Sequence, residues 1–367
     1  MLPYTKQQPD LPDEIISNAS NAKKYFFILK KCYHLHEMLL RAPSRQRRTR
    51  EFRKDLRQAS RGYGRRSMRA IIAGGTGFIG QALAAELKDH GWDIVILSRA
   101  PSRVAEIFGS GVIGMHWDNG DWPDMLGPET AIINLSGENI GKGRWTAAKK
   151  QRILESRVKA GRRIVGAIRS TEKSLAVLIQ ASAVGFYGPH GTKPLDESTP
   201  SGEGFLADVA RQWEASTAEL DEMGIRRCVI RTGAVLGHGG VLSQMMPPFK
   251  YFMGGPIGTG FQGVSWIHLA DEVRAIRFLL ETPTASGAYN LTAPTPVRFR
   301  KFARILAETM HRPNKLRTPA FIIRLLFGEM ADELLLSGQL VLPKRLLDAG
   351  FEFRYPEVRE ALQDLIG

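Results

Sequence analysis

Cysteine is nearly absent from this sequence of 367 residues: Cys32 and Cys228 are the only two. That excludes a disulfide framework and gives no indication of a zinc site, so no metal ligands are assigned. Cys228 lies in Arg227-Cys-Val-Ile-Arg231, which reads as a buried strand, and is taken as a core residue. Long apolar runs are missing as well. None approaches the roughly 20 residues that a transmembrane helix needs, and the chain is expected in the cytoplasm. Internal repeats and low-complexity tracts are absent. With 43% hydrophobic residues the chain can still bury a sizeable core.

Acidic residues are scarce only at one end. Residues 1–67 carry 16 Lys/Arg against 6 Asp/Glu, a balance of +10, and residues 68–367 carry 35 against 31, a balance of +4. The formal net charge of +14 therefore belongs mainly to a leader, and the segment from Arg41 to Arg66, which includes Arg45-Gln-Arg-Arg-Thr-Arg50, holds most of it. Lys23–Leu40 has the pattern of an amphipathic helix. A nucleic-acid or membrane-surface arm and an organelle transit peptide are the specific readings. Asp10, Asp13 and Glu14 count against the transit peptide, and nucleic acid is not an expected partner. The favoured expectation for residues 1–67 is a disordered extension, or upstream sequence from a start codon assigned too early.

From Met68 strands and helices alternate. Strands are expected at 70–73, 93–98, 114–117, 131–135, 176–181 and 227–232. Helices are expected at 81–90, 146–170 and 205–223. Regular βα alternation with short loops predicts a Rossmann-type, doubly wound parallel α/β sheet. Residues 68–295 are assigned to this domain. Segment 237–265, with Pro247-Pro248 and Gly254–Gly260, reads as a loop-rich pocket segment, followed by a helix at 271–281 and a strand at 287–291. Residues 296–367 are assigned to a smaller, mainly helical C-terminal subdomain on the substrate side, and the cleft between the parts is the default binding site.

The chemistry starts at Gly74-Gly75-Thr76-Gly77-Phe78-Ile79-Gly80. Gly75, Gly77 and Gly80 fit G-x-G-x-x-G between a strand and a helix. The glycines permit a tight turn, close approach of a pyrophosphate and close packing of helix on strand, and the helix N-terminus offers free N–H groups to the phosphates. Strand two ends Leu97-Ser98-Arg99, without the acidic residue that binds a ribose 2′-hydroxyl. A guanidinium at Arg99, with Ser98 beside it and Arg103 near, suits a 2′-phosphate, so NADP(H) is favoured. If Arg99 is only a solvated surface arginine, the cofactor is NAD.

The chain from Met68 to Gly367 resembles the short-chain dehydrogenase/reductase superfamily in its extended, epimerase-like form, and within it an atypical epimerase-family group. The residues that carry the resemblance include Ala73–Gly80, Asn134-Leu-Ser-Gly-Glu138, Arg144-Trp-Thr146 and Glu155-Ser-Arg-Val158. Ser182-Ala-Val-Gly-Phe-Tyr-Gly188, Trp213-Glu214, Arg231-Thr-Gly233, Gly254-Gly-Pro-Ile-Gly258 and Trp266-Ile-His268 with Asp271 continue it. Gln339, Pro343-Lys344-Arg345 and Ala349-Gly-Phe351 match the group's C-terminal domain of unknown function. The resemblance implies that Leu135, Ser136 and Gly137 lie against the dinucleotide and that Val235 meets the nicotinamide. Arg157 suits either the phosphates or a structural ion pair.

Extended members of the superfamily normally use a Ser/Thr after strand five and a Tyr-x-x-x-Lys. None of the eight tyrosines here is followed by Lys at that spacing, and the position four before Tyr187 is Ala183. Ser182 and Tyr187 are the best remaining catalytic candidates, with Glu138, Lys142 and His268 as further ones; His268 also reads as a structural residue at a helix start. Two functions remain in view. One is an NADP-dependent oxidoreductase or epimerase-like protein acting on a small molecule. The other is an NADP(H)-binding regulatory protein without turnover. The sequence assigns neither a substrate nor an oligomeric state.

Overall fold

Strand β1 (Arg69–Ala73) is apolar on both faces because both faces are covered: Ala70, Ile71, Ile72 and Ala73 are fully buried. That is the pattern of a parallel strand sandwiched between helices. In the computed structural model, which describes residues 67–118, 121–191 and 193–367, it is the centre of a seven-stranded sheet. The expectations for the leader, including Cys32 and the Lys23–Leu40 helix, lie outside the described residues.

The strands in chain order are β1, β2 (Asp93–Ser98), β3 (Ile113–His116), β4 (Thr130–Asn134), β5 (Val177–Ala183), β6 (Arg227–Thr232), β7 (Ala234–Gly237), β8 (Trp266–His268) and β9 (Gly287–Leu291). The main sheet has the order β9-β6-β5-β4-β1-β2-β3, and every pairing in it is parallel. Strands β7 and β8 pair separately. The chain leaves β1 toward β2 and β3, then returns to the other side of β1 as β4. The crevice at the carboxyl ends of β1 and β4 is therefore the topological switch point of a doubly wound sheet, where ligands bind in this architecture. Register aligns the edge: Ala73 faces Leu97 and Asn134, and Ala183 faces Thr232.

The helices are α1 (Phe78–Asp89), α2 (Pro101–Phe108), α3 (Ala147–Thr171), α4 (Phe205–Ala215), α5 (Gly240–Lys250), α6 (Leu269–Glu281), α7 (Phe299–Thr309), α8 (Ala320–Phe327) and α9 (Val358–Ile366). Alternate residues of the strands feed the two faces. Ala70, Ile72, Ile133 and Ile179 pack with Leu83 and Leu87 of α1 and Ile276 and Leu279 of α6. Ile71, Ala73, Ile132 and Leu178 pack with Ile164 and Ile168 of α3. Thr146 starts α3 by accepting a hydrogen bond from the Lys149 amide at 3.2 Å, an N-cap. Cys228 is fully buried, and its thiol donates to the Ala285 carbonyl.

A second core joins α5, α7 and α9 around Trp266, Phe302, Leu306 and Leu362. It is tied to the sheet by Asp271, whose buried carboxylate accepts from the Arg354 and Tyr355 amides, both at 2.8 Å.

Two expectations need correction. The pocket segment is not all loop: residues 240–250 form α5 with Pro247 and Pro248 inside it. Proline keeps a helical φ, but it loses its amide bond and crowds the carbonyl four residues back. Here the apolar face holds the turn, with Leu242 and Phe249 buried and Met245 and Met246 packed beside them. The helix expected at 205–223 breaks after Ala215 and resumes as a short turn at Glu219–Glu222. The Ser216 hydroxyl donates to the Trp213 carbonyl, a local bond of the kind that competes with helix continuation.

Candidate cofactor site

The turn after β1 is built by exclusion. Gly74 has φ +81°, a region costly for a residue with Cβ, and a Cβ there would lie 2.8 Å from the carbonyl carbon and oxygen of Leu135. A Cβ on Gly80 would lie 2.5 Å from the Gly74 oxygen and 2.6 Å from the Gly75 Cα, and one on Gly75 would strike the Ile96 side chain. The turn closes with the Gly77 amide donating to the Gly74 carbonyl at 3.0 Å. The Leu135 amide donates to the Ala73 carbonyl at 2.9 Å, so the ends of β1 and β4 touch at the switch point.

Helix α1 opens at Gly77 with no side-chain cap and no acidic residue in its first turn. Its first amides lack intrahelical acceptors, and a helix start of this kind can donate to an anion. Phe78 is wedged into the other lobe. Glycines make room for its ring, since a Cβ on Gly237 or Gly240 would approach it to 2.7 and 2.9 Å.

Ser98 and Arg99 end β2. The Ser98 hydroxyl accepts from the Ala100 amide at 3.1 Å. Arg99 is exposed, with no hydrogen bond or ion pair among the described residues, and so is Arg103 apart from backbone bonding. Arg99 is close enough to Glu138 to lower that carboxyl's pKa. The larger cause is the hydrogen bond from Lys149 Nζ to Glu138 Oε1 at 2.6 Å, and Arg152 adds to it. Glu138 is thereby held ionised, which does not suit it to act as an acid near neutral pH.

Leu135, Ser136 and Gly137 follow β4. The Ser136 amide donates to Asn134 Oδ1 at 3.3 Å, and Asn134 Nδ2 to Gln180 Oε1 at 3.0 Å. Gly137 lies against Arg157, whose guanidinium carbon would be 2.9 Å from a Cβ there. Arg157 NH1 donates to the Glu138 carbonyl at 3.1 Å and the Ile153 carbonyl at 2.9 Å, and the group sits 4.8 Å from the Trp213 ring. Burial lowers its pKa to about 10, against the pull of Glu138. Its bonds thus go to carbonyls, not to the carboxylate of an ion pair. Val235 is buried in β7 beside Ile267.

Ser182 and Tyr187 are brought together, but inward. The Ser182 hydroxyl donates to Glu214 Oε1 at 2.6 Å. Glu214 also holds Arg231 at Nε and NH2, at 2.9 and 3.0 Å. Arg231 NH1 donates to the Tyr187 hydroxyl at 3.0 Å, and that hydroxyl donates to Asn290 Oδ1 at 2.7 Å. Tyr187 is fully buried. Burial pushes its hydroxyl above the ordinary tyrosine value, although Arg231 and Asn290 pull the other way. A tyrosine acid–base needs the opposite shift.

His268 Nδ1 accepts from the Ala270 amide at 3.0 Å and caps α6, with the Tyr355 ring tilted against its own at 4.0 Å. Lys142 is exposed. The sequence reading missed Asn290 and Glu197 as partners in this region: Glu197 Oε1 accepts from the Asn290 amide at 3.0 Å. No local pattern signals them, because Asn290 meets Tyr187 across 103 positions of chain. Among the described residues no cluster of His, Cys, Asp or Glu is arranged to hold a metal, and no helix is long and apolar enough to cross a membrane.

Residues 70–292 match the family described as "NAD dependent epimerase/dehydratase family". The chain belongs to that family. Residues 318–365 match "Domain of unknown function (DUF1731)". The Epimerase family protein YfhF of Bacillus subtilis is 39% identical over 302 residues, covering 82% of this chain and 98% of that protein. The chloroplastic Epimerase family protein SDR39U1 homolog of Arabidopsis thaliana is 37% identical over 306 residues, covering 82% of this chain and 87% of that one. The crystal structure of human epimerase family protein SDR39U1 (isoform2) with NADPH superposes with a TM-score of 0.74 at 32% identity, over 82% of this chain and 99% of that one. The fold is thus the Rossmann-type epimerase fold, with a C-terminal region that the relatives share.

Proposed function

We propose that this protein is an NADP(H)-dependent oxidoreductase of the extended, epimerase-like kind, acting on a small molecule. The observation that carries the reading is the glycine turn at the switch point, where no side chain fits, joined to an exposed, unpaired Arg99 at the end of β2. The fit to a dinucleotide is steric and electrostatic. Gly74–Gly80, with the α1 amides, would hold the pyrophosphate, and Ser98 and Arg99 a 2′-phosphate. The backbone of Leu135–Gly137 lines the crossing, Arg157 supports it from below, and Val235 forms the wall for the nicotinamide. The NADPH in the human relative supports the same choice of cofactor.

Bound NADP(H) supplies hydride exchange with a carbinol or carbonyl. The chain's own residues orient that exchange. Ser182 and Tyr187 serve as framework: Glu214 and Arg231 hold them so that the turn after β5 keeps its shape beside the crossing. The test is a panel of carbonyl compounds and nucleotide sugars assayed for oxidation or reduction of the bound nucleotide. Turnover of at least one class is expected. Tight NADPH binding with silence across a broad panel would contradict the enzymatic reading.

A further inference from the structure

Helix α8 is an apolar helix anchored through Ile323 and Phe327, with Arg144 donating to its Leu325 carbonyl at 3.0 Å, and open along the rest of its surface. Of Ala320–Phe327 only Ile323 is buried, while Phe321, Leu325 and Leu326 are 68%, 72% and 56% exposed. They do not stand alone. Tyr251, Phe252 and Met253, at the end of α5, are 72%, 59% and 57% exposed, and Leu316 is 53% exposed. These residues lie on two zipped segments. The Leu316 amide donates to the Gly254 carbonyl at 3.4 Å, the Thr318 amide to Pro256 at 3.0 Å, and the Gly258 amide to Thr318 at 2.9 Å. A Cβ on Gly258 would lie 3.9 Å from the Ala320 Cβ, so the start of α8 lies against the same zipped segment. Single exposed apolar residues need no explanation, but a contiguous set does.

Positive charge prevails around this patch, since the exposed acids just after α8 are paired, Glu329 with Lys150 and Asp332 with Arg324. Residues 296–327 contain eight Lys/Arg and one acid, Glu308, a balance of +7. Arg304 and Arg324 are paired with Glu308 and Asp332. Arg298, Arg300, Lys301, Arg312, Lys315 and Arg317 are exposed and have no carboxylate within ion-pair distance among the described residues. Several lie beside the exposed rings: Arg312 is 4.8 Å from Phe252, and Arg298 and Arg300 are each 5.3 Å from Phe261.

We infer that this face docks on an anionic lipid bilayer, with α8 and the Tyr251–Met253 turn entering the headgroup boundary and the arginines and lysines meeting lipid phosphates. Exposed aromatic and leucine side chains ringed by cations are the chemistry of interfacial binding. A second copy would bring the same positive face against this one. A bilayer with negative headgroups satisfies both the apolar and the charged half of the surface.

The experiment is co-sedimentation of the full chain with phosphatidylglycerol–phosphatidylcholine vesicles and with pure phosphatidylcholine vesicles, at low and high salt. Two variants are compared with wild type, Phe321→Ser/Leu325→Ser and Arg312→Ser/Lys315→Ser. Thermal melts check that both are folded, and both keep residues 1–67. Wild type should bind the anionic vesicles, weaken with salt and bind the neutral ones poorly. Each variant should lose about tenfold in partitioning. Anionic binding that both variants retain would place it on residues 1–67 and overturn the inference. So would no wild-type binding, or a wild-type dimer in sedimentation velocity that the variants lose.

Discussion

Glu214 and Arg231 form a two-point ion pair, Oε1 to Nε at 2.9 Å and Oε2 to NH2 at 3.0 Å, with side chains only 15% and 8% exposed. The pair is the hinge of the network that holds Ser182 on one side and Tyr187 on the other. Burial alone would lower the Arg231 pKa, but Glu214 and Tyr187 outweigh it and raise it.

Removing one member leaves the other charge buried without a partner, which costs about 3–5 kcal/mol. Glu214→Ala should therefore lower the urea midpoint strongly, while a surface substitution such as Glu172→Ala should not. Equal stability of Glu214→Ala and wild type would show that Arg231 reaches solvent.

Tyr187→Phe separates framework from catalysis. It deletes the hydroxyl between Arg231 and Asn290, and stability should fall by about 1–3 kcal/mol. If turnover is found, the rate constant should change by less than about tenfold, because the hydroxyl is buried and already bonded on both sides. Loss of about 10²-fold or more in kcat with unchanged stability would restore Tyr187 as an acid–base.

Glu272 gives the fold a pH dependence. It is fully buried, and burial pushes its carboxyl from an ordinary 4.5 up to about 8, against the hydrogen bond from Thr232. Below 4.5 the group is protonated in folded and unfolded chains alike, and its contribution to stability is intact. As pH rises from 4.5 toward 8, the unfolded chain releases the proton and the folded chain retains it, so stability falls. The slope is at most about 1.4 kcal/mol per pH unit. Glu272→Gln should therefore gain stability over wild type as pH rises from 5 to 8. A difference in urea midpoint that stays constant across that range would refute the assignment.

Gly80→Ala tests the turn itself. The added Cβ would meet the Gly74 oxygen and the Gly75 Cα inside normal contact. Overpacking of this kind costs about 1–3 kcal/mol, and dinucleotide affinity should fall with it because α1 must move away from β1. Wild-type affinity in Gly80→Ala would mean that the close approach is not needed.

The sheet was legible because its signals are local. The buried runs Ala70–Ala73 and Arg227–Thr232 and the Gly74–Gly80 turn carry their structural meaning within a few residues. The polar network was not. Glu214 stands out in the sequence only as part of the Trp213-Glu214 motif, with nothing to show that it bonds Ser182 and Arg231, and Asn290 reads as one more strand residue until it meets Tyr187. The Pro247-Pro248 pair misled for a related reason. Proline is a local signal for a break, and the packing of Leu242 and Phe249 that overrides it is not local.

The central claim is an NADP-selecting dinucleotide site, and paired calorimetric titrations of the full chain with NADPH and with NADH test it most directly. NADPH should bind more tightly, and Arg99→Ser should reduce that preference by about tenfold through loss of a charge-assisted contact to the 2′-phosphate. Tighter binding of NADH, or no binding of either nucleotide, would contradict the account.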